Sequence, residues 1–575
     1  MSNVTSRTSV VSELLPESQL SDDNVVKISM IGILVCLSCG LVTTAFTGTL
    51  FPWVQLATLG AIISATVMYS FTERIYLPLS SILVVSVWYR LVQFMLPPSI
   101  VGLDPRTYSV WIQQVIESGG IDTFAVYFYQ DAPLYVIQNA VASILTATPP
   151  ATAMSIGAII SGLFPPLVGF ILARSLAPEN GARIGLLTAS FVAVAATSVE
   201  AGYWPIPQLL GITFLLLLFV GLWKFIVCFD SRYVFIICLC LVGMVYTHKL
   251  PLLPATGAVF TFILIEVFYN IWSDNKPDMY FRRIAIVGAI CTILILFQWS
   301  FITQYASVIT VRLGSLLGSA PTSTTAVISA PMATQAHDEI VGILIRNGSL
   351  LFLLPSAGIA WLVLLWHNSH SRPARLLLSF SAVAVSLFGI YLLSPGIVPV
   401  GRIMLVAEVF LILLIVVSYA IVSRKKLKKA IFALIAVLIV LQLPFAPASP
   451  DHPGGPRYYI SEAEVNAHAF GSAHYPGSIA TDNYFAGTVR DADRRVDNRG
   501  VIVVPTGSQF NSDNELYLNG TLATTETKYV AHRTEKKLYR LKGIWRLTWN
   551  PGSALDTNRH RTYDNNQVRI YAKTD

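Results

Sequence analysis

Gly102-Leu103-Asp104-Pro105-Arg106-Thr107-Tyr108-Ser109-Val110-Trp111-Ile112-Gln113-Gln114-Val115-Ile116-Glu117-Ser118-Gly119-Gly120 is a polar segment that follows three apolar stretches. Val110, Trp111, Val115 and Ile116 recur close to helical spacing, with Gln113, Gln114 and Glu117 between them. This pattern predicts a short amphipathic helix lying on a membrane surface. Such a helix carries Asp104 to the bilayer boundary. A second carboxylate, Asp131, follows in Tyr127-Phe128-Tyr129-Gln130-Asp131-Ala132-Pro133-Leu134-Tyr135. Two acids in one segment ahead of a large hydrophobic region point to chemistry at the membrane face.

The rest of the chain sets the class. With 54% hydrophobic and 12% charged residues and a mean hydropathy of +0.61, it is too apolar for a soluble protein of this length and reads as a multi-span membrane protein. Residues 1–26 are polar and lack the basic, apolar and small-residue order of a cleaved signal, so the first apolar stretch is expected to remain as a span. The net charge of +7 falls mainly in loops, where it orients the protein and argues little for nucleic acid. The cysteines Cys36, Cys39, Cys228, Cys238, Cys240 and Cys291 lie in or beside apolar stretches and form no disulfide or zinc pattern, so they read as small buried hydrophobes.

Thirteen apolar stretches are candidate spans: 28–47, 51–71, 77–97, 153–174, 183–200, 206–228, 232–247, 251–272, 282–299, 348–366, 375–394, 401–423 and 428–446. Placing Arg74, Arg174 with Arg183, Lys224 with Arg232, Arg282 with Arg283, Arg372 with Arg375, and the Arg424 to Lys429 cluster in the cytoplasm satisfies the positive-inside rule. The N-terminus is then inside and the C-terminus outside. The stretch 133–148 breaks the alternation. It is shorter than the roughly 20 residues a span needs, contains Gln138 and Asn139, and reads as a second surface helix. The expected division is a cytoplasmic tail at 1–26, a membrane domain at 27–446 with exterior loops at 98–152 and 300–347, and an exterior domain at 447–575. The 300–347 loop, rich in Ser, Thr, Ala and Gly, is long enough to be a mobile cover. After Pro447 the composition turns polar, and alternating runs at 500–504, 537–541 and 567–571 predict strands of a small α+β domain.

Every unusual polar group falls on the exterior side, and each has a plainer reading beside the functional one. Asp104 before Pro105 is a standard helix start, but a carboxylate so fixed also suits a general base. Asp131 suits a turn before Ala132-Pro133, and Glu200 in Glu200-Ala201-Gly202-Tyr203-Trp204-Pro205 suits an interfacial helix end. His248 and Lys249, where a helix emerges, suit either a snorkelling Lys or a cationic pair for a lipid phosphate. Arg402 begins a long apolar helix on the side normally poor in Arg; its planar fork suits phosphate oxygens as well as an interfacial anchor. Glu408, inside that helix, is either a buried structural partner or part of a site. No phosphate-binding Gly-Lys-Ser/Thr loop, Gly-x-Ser-x-Gly elbow, His-Glu-x-x-His helix or Cys-x-x-Cys occurs, so ATP-driven transport and conventional hydrolase chemistry lose support.

In the order of these parts the chain resembles the C-type glycosyltransferases, which take a sugar from a polyprenyl phosphate outside the cytoplasm. The resemblance rests on Asp104-Pro105-Arg106-Thr107-Tyr108, then Ile116-Glu117-Ser118-Gly119-Gly120-Ile121, then Pro133-Leu134-Tyr135, a second exterior acid at Glu200, and a closing exterior domain. It is nearest to protein O-mannosyltransferases, aminoarabinose lipid A transferases and archaeal dolichyl-phosphate-mannose mannosyltransferases. The resemblance implies an inverting transfer in which Asp104 is the catalytic base, with Glu200 and Asp131 as further catalytic acids. Arg402, Lys249, His248, Arg106 and Tyr108 would contact the substrates. The implied partners are a polyprenyl-phosphate-linked sugar, a glycan, protein or lipid acceptor, and the bilayer, with no nucleic acid. No cofactor is required, and a divalent cation is left open because the family often has Asp where Glu200 stands. Oligosaccharyltransferase catalytic subunits share the architecture but carry Trp-Trp-Asp in their exterior domain; no Trp-Trp pair occurs here. The competing readings are a transporter or flippase of lipid-linked glycans, an arginine-dominated glycan polymerase or ligase, and an exterior binding domain on a large anchor.

Overall fold

Backbone polar groups inside a bilayer have no water to bond, so an apolar chain of this kind satisfies them within helices. The computed structural model describes residues 22–70, 74–122, 127–177, 180–228, 230, 232–272, 279–301, 331–335, 340–368, 371–393, 400–443, 457–486, 508–536, 538–540 and 544–574. Each of the thirteen apolar stretches is helical over most of its described residues. The helices are Asp22–Thr47, Trp53–Ser70, Tyr76–Met95, Ile156–Leu176, Gly181–Val194 with Ala196–Tyr203, Pro207–Cys228, Arg232–Val245, Leu252–Trp272, Met279–Phe301, Ile340–Asn368, Arg372–Leu393, Val400–Ile421 and Lys425–Leu441. Among the described residues eight helices are long and apolar enough to cross a membrane, or nine if the bent pair is one span. The protein is therefore a polytopic helical membrane protein. The expected thirteen full spans reduce in this respect: Arg232–Val245 has only 14 residues and Lys425–Leu441 only 17.

Two departures from the sequence reading matter for function. The stretch 183–200 is not one helix but two, bent by 52° at a break between Gly181–Val194 and Ala196–Tyr203. Nothing local marks the break, since Val194-Ala195-Ala196 contains neither Pro nor Gly; groups from other helices hold it open. Val400–Ile421 is the most enclosed span, 89% buried over its core stretch against 22% for the first helix, and it packs on Ile340–Asn368, Arg372–Leu393 and Gly181–Val194. It is the axis of the bundle. The six cysteines are unpaired; Cys240 and Cys291 are buried as expected, whereas Cys39 and Cys228 are exposed.

Between the third and fourth of these apolar stretches, Leu103–Ser118 forms the expected amphipathic helix, followed by the short Tyr127–Asp131 and by Leu134–Thr146. The last has 13 residues, too few to span. It buries Tyr135, Val136, Asn139, Ala140 and Ser143 and exposes Ile137, Val141, Ile144 and Leu145 on the opposite stripe.

The polar C-terminal region is α+β. Ser461 caps the Glu462–His474 helix in a reciprocal capping box with Glu464. Strands β2 (Gly477–Thr481), β3 (Ser508–Ser512), β4 (Tyr529–Arg533), β7 (Arg559–Asp564) and β8 (Val568–Lys573) form a mixed sheet in the order β3-β2-β4-β8-β7. β8 covers the predicted 567–571 run. β5 (Leu538–Arg540) falls within the 537–541 run and pairs with β6 (Ile544–Leu547), while the predicted strand at 500–504 lies outside the described residues.

The expected 300–347 cover is described only in part. Within it Ala333–Gln335 forms β1, antiparallel to β6, with Thr334 opposite Arg546. The Met332 amide donates to the Leu518 carbonyl at 3.1 Å, and the Met332 carbonyl accepts from Thr548 at 3.0 Å. This part of the segment is a strand paired with the C-terminal region, and residues 302–330 and 336–339 of the expected cover lie outside the described residues. The remaining described part, from Ile340, already belongs to a helix.

Candidate active site at one end of the bundle

Asp104 does not cap its helix. The helix begins at Leu103 with Gly102 as N-cap at φ +91° and no side-chain cap bond, so Asp104 stands in the first turn, exposed. The cause is a close approach: a Cβ on Gly102 would lie 2.4 Å from the Trp204 indole. Only glycine accepts both that contact and that backbone conformation. An acid in the first turn also suits the positive end of the helix dipole. The plainer reading of Asp104, a capping side chain, is replaced by an accessible carboxylate on a fixed helix start.

Aromatic rings pack behind Asp104. Tyr108, on the same helix, lies edge-on to Trp111, Tyr129 and Tyr135, with ring centroids 5.4, 5.4 and 5.6 Å away. The Tyr108 and Tyr129 hydroxyls are hydrogen-bonded at 2.8 Å. Burial raises the Tyr129 phenol pKa, the Tyr108 hydroxyl opposes that rise, and Asp104 and Arg402 then act with opposite signs. Burial, with Tyr129 and Asp104 adding to it, pushes Tyr108 well above the usual phenol range. Both hydroxyls therefore stay protonated near neutral pH. Tyr129 was missed in the sequence, although the density of aromatic residues in Tyr127-Phe128-Tyr129 beside Asp131 was a usable signal.

Arg402 begins the central Val400–Ile421 helix and is exposed. Its charge reaches both Tyr129 and His248. His248 sits in the turn after Arg232–Val245, 4% exposed, and its Nδ1 accepts the Leu250 amide at 3.1 Å. Burial, reinforced by Arg402 and Lys249, holds it well below the ordinary histidine range. His248 is thus a neutral ring whose proton sits on Nε2. It is not half of a cationic pair, and the positive charge comes from Arg402 and the half-buried Lys249. The same turn meets the surface helix, where the Leu134 amide donates to the Tyr246 carbonyl at 3.0 Å.

The other candidates are spread around this centre. Glu200 is half-buried on Ala196–Tyr203, one turn before Trp204, whose amide donates to the Glu200 carbonyl at 2.8 Å. Since Trp204 covers Gly102, the end of the Glu200 helix adjoins the start of the Asp104 helix. Asp131 ends the short Tyr127–Asp131 helix and is half-buried.

Arg106 points away from the cluster into the C-terminal region. It is 1% exposed, and its Nη1 donates to the Tyr484 carbonyl at 2.8 Å. With the Gly102 amide on the Tyr458 carbonyl at 2.7 Å and the Ile460 amide on Ser99 Oγ at 2.8 Å, it seams the C-terminal region to the Asp104 loop. A joint of this kind fits the residue better than substrate contact. Among the described residues no three His, Cys, Asp or Glu side chains gather as a metal-holding group.

No known family profile matches the chain, and no curated protein matches it in sequence. Its fold does match a solved structure, the apo-form crystal structure of the Archaeoglobus fulgidus oligosaccharyltransferase. That match has a TM-score of 0.50 and 12% identity over 88% of this chain and 75% of that one. Two further structures of the archaeal enzyme align less closely. One, a complex with Zn and sulfate, has a TM-score of 0.44 at 11% identity over 86% and 73% of the two chains. The other, AglB with an inhibitory peptide and a dolichol-phosphate, has a TM-score of 0.43 at 11% identity over 80% and 69%. The likeness is one of fold, shared with this archaeal oligosaccharyltransferase structure over most of the chain.

Proposed function

We propose that this protein is a glycosyltransferase that moves a sugar from a polyprenyl phosphate carrier to a hydroxyl of an exterior glycan, protein or lipid acceptor. One observation carries the reading: an exposed carboxylate, Asp104, stands in the first turn of the helix whose Tyr108 is hydrogen-bonded to Tyr129 at 2.8 Å, and an exposed guanidinium, Arg402, lies within electrostatic reach of that same Tyr129. A base for the acceptor and a fork for the donor phosphate are the two charges this reaction needs. The acceptor oxygen attacks the anomeric carbon from the face opposite the phosphate. As that bond forms, the bond from the anomeric carbon to the phosphate oxygen breaks, Asp104 takes the hydroxyl proton, and the carrier leaves as polyprenyl phosphate held by Arg402 and Lys249. Inversion follows from this single displacement. Neutral His248 orients the turn that bears Lys249, and Glu200 and Asp131 line the approach. The positive-inside distribution supports an exterior active face in a multi-pass cell membrane protein with its N-terminus in the cytoplasm.

Transport of a lipid-linked glycan is the second reading, and the broken span favours it, because transporters use such breaks as binding sites. Here, however, the backbone groups freed at the break bond to protein side chains. The test is to supply the purified protein, in lipid nanodiscs and in vesicles, with polyprenyl-phosphate sugars. Transfer predicts release of polyprenyl phosphate that depends on acceptor and falls at least tenfold in Arg402→Ala. Translocation of intact donor across vesicles, without cleavage, would overturn the assignment.

A further inference from the structure

The break between Gly181–Val194 and Ala196–Tyr203 leaves the first amides of the second helix without helical partners, deep inside the bundle. Three residues from three other helices take up the exposed groups. Gln442 Oε1 accepts the Ala196 amide at 3.0 Å. The Glu408 carboxylate accepts the Thr197 amide at 3.1 Å and the Ser198 amide at 3.1 Å, both at Oε2. Across the break, Arg90 Nη1 donates to the Ala193 carbonyl at 2.9 Å, and Nη2 donates to Ser198 Oγ at 3.0 Å. Arg90 and Glu408 are 0% and 1% exposed. Gly202, on the next turn, leaves room for this guanidinium: a Cβ there would lie 2.7 Å from Arg90 Cγ and Cδ.

Two ionisable side chains that are expensive to bury thus converge on one short helix, Ala196–Tyr203. That helix is short, with 8 residues, and its entry is bent, so these side chains take the place of the helical partners its first amides lack. Its far end presents Glu200 and then Trp204, which touches Gly102 at the start of the Asp104 helix and packs on Tyr458 with ring centroids 4.9 Å apart. Glu408 belongs to Val400–Ile421, the helix that begins beside Arg402.

We infer that Glu408 is a positioning residue for the exterior site: it ties the Arg402 helix to the amino end of the Ala196–Tyr203 helix, and so sets where Glu200 and the Trp204-supported Asp104 helix stand. The inference rests on the transferase reading for its effect on turnover, but not for its effect on local order. Removing the carboxylate leaves the buried amides of Thr197 and Ser198 without their acceptor. The short helix then loosens as a unit, while the helices on either side remain packed.

The experiment compares the full-length protein with Glu408→Ala, Glu408→Gln and the control Glu266→Gln in nanodiscs, by hydrogen exchange and by transfer kinetics. Glu266 pairs with Arg375 at 2.6 Å in another part of the bundle, so its loss reports what removing a buried ion pair does in general. In Glu408→Ala, exchange is expected to rise in peptides covering 196–204 and 100–106 but not in 207–228, and kcat to fall at least tenfold with the donor KM within about twofold. Glu408→Gln, whose amide oxygen still accepts from the same amides, restores part of the turnover and of the protection. Glu266→Gln leaves kcat within about twofold. Exchange that rises throughout the bundle, exchange unchanged at 196–204, full turnover in Glu408→Ala, or no recovery in Glu408→Gln would each overturn the inference. If the wild-type protein transfers no sugar, the functional reading fails, and the exchange pattern alone still decides whether Glu408 orders this helix.

Discussion

Gly102 holds a backbone conformation, φ +91°, in which a side chain would strike the Trp204 indole 2.4 Å away. Gly102→Ala therefore combines strain with a clash. Strain of this kind costs about 1–3 kcal/mol, and the variant is expected to melt at a lower temperature and to lose transfer, because the helix that displays Asp104 must shift. A variant with unchanged melting and turnover would show that the contact is dispensable. Tyr129→Phe removes the hydroxyl partner of buried Tyr108 while sparing most of the ring packing. An unpaired buried hydroxyl costs about 1–3 kcal/mol, and kcat is expected to drop severalfold; a turnover equal to wild type would remove Tyr129 from the site. The sequence made Asp104 legible as an acid at a helix start and left it open between cap and base, whereas the cap position is held by Gly102. The deciding contact, Trp204 on Gly102, joins positions far apart in the chain. Arg106 was legible as a charge and not as a joint, because its acceptor is the carbonyl of Tyr484, which no side-chain pattern encodes.

At the scale of elements, the amphipathic and apolar patterns sufficed where periodicity alone decides structure. Leu103–Ser118 lies where its apolar spacing predicted, and the short helix after Pro133 lies in the stretch whose length and polar content set it apart from the spans. The Glu462–His474 helix carried its own start signal, Ser461 with Glu464, which the sequence reading passed over. The break at Ala195 left no local mark, because its cause lies in Arg90, Glu408 and Gln442 on other helices. Glu408 was left open between structural partner and site residue, and its bonds to Thr197 and Ser198 explain why an acid is kept inside a span. Arg106 offers a test of the joint between elements. Arg106→Ala should raise hydrogen exchange in the 457–486 segment while donor binding changes less than about twofold; a loss of donor binding would return Arg106 to the substrate contacts.

Over the whole molecule, a bundle organised around Val400–Ile421 has Arg402 and Asp104 at the end where an α+β region is seamed onto the Asp104 loop. That region depends on pH in a calculable direction. Burial pushes His532 down to about 4 and His468 down to about 3. Between their ordinary 6.5 and these values the unfolded chain binds more protons than the folded one, so stability falls as pH falls through that window. Asp482 extends the trend: burial would raise its pKa, but Arg533 and Lys536 hold its carboxyl far below the ordinary 3.8, so its contribution is lost only in stronger acid. The thermal midpoint of this region should drop steadily from pH 7 to pH 4, and His532→Leu should flatten part of that drop; a flat wild-type profile would contradict the burial assigned to both rings. The fold match to an oligosaccharyltransferase, at 12% identity, fixes architecture and not acceptor, and the missing Trp-Trp pair keeps transfer of a whole oligosaccharide to Asn the weaker expectation. The most direct measurement is a single-turnover transfer assay on Asp104→Asn at saturating polyprenyl-phosphate sugar. The account predicts donor binding within about twofold of wild type and sugar transfer lowered by a factor on the order of 100 to 10,000; transfer at the wild-type rate would contradict it.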